Sequence, residues 1–105
     1  METPNFKYID KISGDDPDFK KRLIRIIKEE FPQEVAEYYT YIESLKYQEA
    51  SELVHKIKHK FSILGLEESY KLAVKYEKEL RSQNDKLSLI FDEKLNIVTS
   101  FLENI

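Results

Sequence analysis

The stretch Leu53-Val54-His55-Lys56-Ile57-Lys58-His59-Lys60-Phe61-Ser62-Ile63-Leu64-Gly65-Leu66 decides how this chain reads. At 100° per residue Leu53, Val54, Ile57, Phe61 and Leu64, with Ala50 one turn earlier, share a stripe about 100° wide, the width of a core-facing helical face. His55 falls roughly 140° from the centre of that stripe, with Ser51, Lys58, His59 and Ser62 around it on the side predicted to face water. No carboxylate occurs between Leu53 and Leu66. Lys56, Lys58 and Lys60 are therefore expected to surround an exposed imidazole with positive charge, a setting suited to phosphate chemistry.

The rest of the chain supplies helices to pack against this one. With 105 residues it is expected to form one domain, residues 1–105. Only 2 Gly and 3 Pro argue against a turn-rich β architecture. Phe6, Tyr8, Ile9 and Ile12 predict a short first helix or extended lead acting as a lid, closed by Ser13-Gly14. Asp15-Asp16-Pro17-Asp18 starts a long helix, with Asp at the N-cap and Pro at the first helical position. Phe19, Leu23, Ile26 and Ile27 are expected inward, followed by Phe31, Val35, Tyr38, Ile42 and Leu45. The stripe keeps phase across Pro32, which predicts a kink over 17–45, with two separate helices as the alternative. The central helix follows from about 48 to 64, closed by Gly65. A helix over about 67–82 places Leu66, Tyr70, Ala73, Tyr76 and Leu80 inward. A last one over about 85–104 has Leu87, Phe91, Val98, Leu102 and Ile105 on one stripe, with Ile90, Ile97 and Phe101 beside it. The fold class is all-α: an up-down-up-down four-helix bundle with a short extra N-terminal helix.

Composition narrows the function. The chain lacks cysteine, which excludes disulfides and thiolate metal sites. A net charge of −3 argues against a general nucleic-acid binder, which needs a broad cationic face. Neither a signal peptide nor a run of about eighteen apolar residues is present, so a cytoplasmic protein without membrane association is expected. No Gly-rich phosphate loop or Walker pattern occurs, so an ATP-using kinase is not expected.

The spacing of His55, Ile57, Lys58, Leu64 and Gly65 resembles the signature of histidine phosphotransfer (HPt) domains. There the phosphorylated histidine is followed by an apolar residue at +2, lysine at +3, glycine at +4 and Leu-Gly at +9 and +10. His59 stands where the family usually has glycine. A later hydrophobic-Glu pair of the family is matched by Tyr76-Glu77. The resemblance covers essentially the whole chain. It implies that His55 is the phosphoacceptor; Lys58, one turn along, is then expected to neutralise phosphoryl charge, and His59, Ser62 and Ser51, on the same predicted face, to form the periphery of the site. It also implies partners: response-regulator receiver domains and a hybrid histidine kinase. The protein itself would be no enzyme and would carry no cofactor, with Mg²⁺ on the receiver. Met1 and the complete predicted bundle lead us to expect a stand-alone, monomeric relay protein. A non-phosphorylated helical adaptor that binds receiver or other signalling domains is the alternative.

Other chemistries are weaker on the residues. His55-x-x-x-His59 offers a divalent metal two ligands with no evident third, so no metal site is expected. Glu52-x-x-His55 spells half of a di-iron motif, yet both histidines lie on one helix and His55 is predicted to point outward. Ser51 and Ser62 lack an orienting acid and an oxyanion hole for hydrolysis. Tyr39, Tyr41 and Tyr47, off the main stripe, are candidates for an aromatic docking patch.

Overall fold

Asp16 begins the longest helix. In the computed structural model, which describes residues 2–105, its carboxylate accepts the Phe19 N–H at 3.0 Å. Pro17, whose missing N–H costs nothing at a helix start, takes the first helical position. The chain forms α1 (Lys7–Ser13), α2 (Pro17–Glu43), α3 (Tyr47–Ile63), α4 (Glu67–Arg81) and α5 (Ser88–Glu103), with no strand among the described residues. No described helix is long and apolar enough to cross a membrane. α2 runs unbroken through Pro32, so the two-helix alternative does not occur. Proline forfeits one backbone hydrogen bond, but the fully buried Phe31 and Tyr38 anchor the helix on both sides of it.

α3 lies against both α2 and α4, α5 touches the same two helices, and α1 packs on α2. Their buried side chains form one cluster. At its centre the Phe91 ring meets Tyr38, Phe61 and Tyr76 at centroid separations of 5.1, 6.0 and 5.0 Å. The hydroxyls of Tyr38 and Tyr76 bond each other in this apolar setting. Burial raises the pKa of both hydroxyls, that of Tyr76 to about 12, so both tyrosines stay neutral.

Three apolar expectations need correction. Phe19 and Ile26 are 37% and 46% exposed, because the first turns of α2 have only short α1 to cover them. On α5 the buried residues are Phe91, Leu95, Val98 and Leu102, spaced 4, 3 and 4. Leu95 belongs to the core, whereas Ile90 and Ile105 lie open. Leu45, expected inward, lies open just past the end of α2, and of the first element's apolar residues only Ile9 is fully buried.

Helix ends are closed by one repeated device. After α3 the Leu66 N–H reaches Phe61 O at 2.9 Å and the Gly65 N–H reaches Ser62 O at 3.1 Å, with Gly65 at φ 78°. This is the Schellman arrangement, which needs a left-handed residue just past the helix. The Asn5 amide lies where a Gly65 side chain would go, 2.6 Å from an ideal Cβ, and the Asn5 N–H bonds Leu64 O. Nearby, the Glu2 carboxylate accepts the Glu68 and Ser69 N–H groups at 2.8 and 2.7 Å. It thereby caps α4, which has no side-chain cap of its own.

α2 and α4 end in the same way, but the left-handed residues are Leu45 (φ 57°) and Gln83 (φ 62°). A side chain in this conformation costs about 1–2 kcal/mol. Leu45 is 68% exposed and contributes little burial. Leu45→Gly is therefore expected to stabilise the fold by about 0.5–1 kcal/mol, after the entropy that glycine adds to the unfolded chain. A urea midpoint that stays put or falls would contradict this.

Candidate functional site

His55 sits on the outer face of α3, with 51% of its side chain accessible, while Val54 and Ile57 on either side are fully buried. The helical phase of Leu53 to Leu64 thus places it as expected. Two of its predicted neighbours are elsewhere. Ser51 is fully buried and its hydroxyl donates to Gln48 O at 2.6 Å. The Lys58 side chain is only 11% accessible and its ammonium donates to Glu77. Both corrections have one cause: α4 lies along that flank of α3 and converts it from open surface into a seam.

α4 also changes the charge of the site. The Glu77 side chain is 5% accessible and gathers three cationic or polar groups. It accepts from Lys58 Nζ, from His55 Nδ1 at 3.1 Å and from Arg81 Nη2 at 3.3 Å. Burial alone would raise its pKa. The hydrogen bond and charge of Lys58, followed by those of His55, outweigh that and hold the carboxyl below the usual value. The surround of His55 is therefore not simply cationic, as the carboxylate-free stretch led us to expect. Lys60 is likewise neutralised, by Glu30 at 2.9 Å and Glu34 at 3.0 Å from α2. Burial works against its charge, but these two carboxylates raise its pKa. Only Lys56 of the three lysines stands exposed and free of an ion pair among the described residues.

The bond to Glu77 has a chemical consequence. A carboxylate cannot donate, so Nδ1 of His55 carries the proton and the neutral ring keeps its lone pair on Nε2. The imidazole lines an open depression of about 340 Å³ with Glu52, Lys56 and Arg81. Arg81, with 48% of its side chain accessible, supplies a guanidinium to this opening. His59 stands edge-on to His55, ring centroids 5.0 Å apart, and is exposed. Among the described residues no third His, Cys, Asp or Glu side chain joins a metal-sized cluster.

Ser62 is exposed, but it borders a different depression, with Tyr8, Glu67, Tyr70 and Lys71. The tyrosines proposed as a docking patch are half-buried, and two of them tie elements together. Tyr39 donates to Asp92 at 2.9 Å and Tyr47 to Asp85 at 3.0 Å. Arg81 escaped the sequence reading, although its i,i+4 spacing from Glu77 marks the pair as neighbours on one face. Glu77 entered only through the resemblance, and its contact with His55 spans 22 positions. Compared with known protein families, with curated proteins and with solved structures, the chain has no match.

Proposed function

We propose that this chain is a histidine phosphotransfer protein, a cytoplasmic monomer that relays phosphoryl groups between receiver-domain aspartates. Its helices would form the up-down-up-down bundle of that family. The observation that carries the reading is the half-open His55 imidazole, with Nδ1 held by a buried carboxylate and Nε2 left as the nucleophile. The resemblance at Ile57, Lys58, Leu64, Gly65 and Tyr76-Glu77 supports it.

In the proposed reaction the Nε2 lone pair attacks phosphorus of a partner's aspartyl phosphate. The bond between phosphorus and the acyl oxygen breaks, and that oxygen leaves as the partner's carboxylate. Positive charge develops on the ring and is shared through Nδ1–H with Glu77, which is already ionised and in contact. Mg²⁺ would be supplied by the receiver. Lys58 acts through Glu77, anchoring it from the buried side. Neutralising the phosphoryl oxygens falls instead to Arg81 and Lys56 at the depression, with His59 beside them.

A phosphorylated receiver domain with Mg²⁺ is expected to pass radiolabel to the protein, and the label should be acid-labile and alkali-stable. His55→Gln should remove it while leaving the fold intact, since the side chain is half exposed. Label retained on that variant would rule out His55 as acceptor. If no receiver transfers label, yet one binds wild type and His55→Gln equally, the chain is an adaptor and the relay reading is wrong.

A further inference from the structure

Both histidines of the chain, His55 and His59, lie on the outer face of α3, one helical turn apart. Their ring centroids are 5.0 Å apart. Two imidazoles that share one ion through nitrogens about 2.0–2.1 Å from it, near the tetrahedral angle, have ring centres roughly 5 Å apart. The spacing in the sequence offers two ligands and nothing more. The fold adds the group that orients the first of them.

His55 Nδ1 donates to Glu77 at 3.1 Å, and the Glu77 side chain is only 5% accessible. A histidine that binds metal usually gives its other ring N–H to a carboxylate in this way, which fixes the tautomer and makes the free nitrogen a stronger donor. Lys58 anchors Glu77 from the buried side. Beneath the two rings Val54, Ile57 and Phe61 are fully buried, so the backbone between them is rigid. His59 is exposed, and its ring can turn a nitrogen toward the ion that His55 Nε2 faces.

We propose that His55 and His59 form a two-histidine site for a divalent transition-metal ion such as Zn²⁺, with His55 Nε2 and one nitrogen of His59 as ligands and water in the remaining positions. Glu52 lines the same depression but joins no ligand cluster, so it contributes charge only. Lys56 and Arg81 oppose a cation there, and Glu52 and Glu77 offset them. Coordination and not net charge therefore supplies the affinity. This selects ions that favour imidazole over Mg²⁺ and Ca²⁺, which take oxygen ligands. One consequence rests on the phosphotransfer reading: an ion on Nε2 occupies the lone pair that would attack phosphorus, so zinc and phosphoryl group exclude each other.

Zinc titration of the full chain, followed by the imidazole nitrogen signals in NMR spectra, tests the site. One equivalent should shift Nε2 of His55 and a nitrogen of His59 saturably, and Mg²⁺ should shift neither. His55→Gln and His59→Gln should each bind zinc about tenfold more weakly or worse, because the second ligand no longer acts within the same molecule. Both side chains are open to solvent, and circular dichroism verifies the fold. Equal zinc affinity of wild type and His59→Gln, coordination through His55 Nδ1, or shifts reproduced by Mg²⁺ would each overturn the proposal. In the transfer assay, zinc that saturates wild type should block labelling, and it should inhibit His59→Gln far less relative to that variant's own zinc-free rate. Undiminished labelling of the zinc-saturated protein would overturn coordination at Nε2. A chain that accepts no label even without zinc would sink the relay reading, while the titration still decides the metal site.

Discussion

Glu77→Ala is expected to destabilise the fold by about 3–5 kcal/mol, because it strands the buried Lys58 ammonium without a counter-charge. Against a typical total of about 5–15 kcal/mol, this brings the domain close to unfolding. The pair need not be stabilising in itself. Lys58→Met in the Glu77→Ala background removes the stranded charge, and most of the lost stability should return. Equal stability of the single and double variants would show that desolvated charge is not the cause. The same carboxylate sets a pH dependence. Its folded pKa is lowered from 4.5, so its contribution is complete above that value and disappears as pH falls through the lower folded value. Wild type should therefore lose stability in acid more steeply than the Glu77→Ala/Lys58→Met variant.

The same substitution probes the proposed chemistry. Without Glu77 the ring is free to take the other tautomer, and no anion shares the charge that develops on Nδ1–H. Phosphoryl acceptance in the refolded double variant should slow by on the order of tenfold or more, less than in a fully enclosed site because water reaches the ring. An unchanged transfer rate would remove Glu77 from the mechanism while leaving His55 in it.

Phe91→Ala is the second large effect, expected to cost about 3–5 kcal/mol. The ring is fully buried and touches three other rings contributed by α2, α3 and α4. Removing it opens a cavity at a point where all four long helices meet. Phe91→Leu should recover more than half of the loss, since it refills much of the volume. Thermal or chemical unfolding measures both. A Phe91→Ala protein within about 1 kcal/mol of wild type would mean that the core closes over the gap.

How much could be read in advance follows the range of the interactions involved. Helix starts and stops such as Asp16-Pro17 and Gly65 depend on hydrogen bonds within a few residues, and they are legible in the chain itself. The exposure of His55 is legible too, since helical phase alone sets it roughly 140° from the centre of the apolar stripe. Leu45 and Gln83 are not legible as left-handed caps, because nothing local favours that conformation. They take it where the chain must turn between packed helices.

The site divides along the same line. The amino-acid order by itself determined that the chain is helical and that an imidazole would stand on the outside of the third helix, because these follow from a period of 3.6 residues and from near-neighbour capping. Only the tertiary structure decided what surrounds that imidazole. By laying α4 along one flank of α3 it buried Ser51, withdrew Lys58 from solvent and brought Glu77 and Arg81 to His55. By laying α2 along the other it neutralised Lys60. A side chain's phase on its own helix says which way it points, but the charge and solvent it meets there belong to the helix that packs beside it.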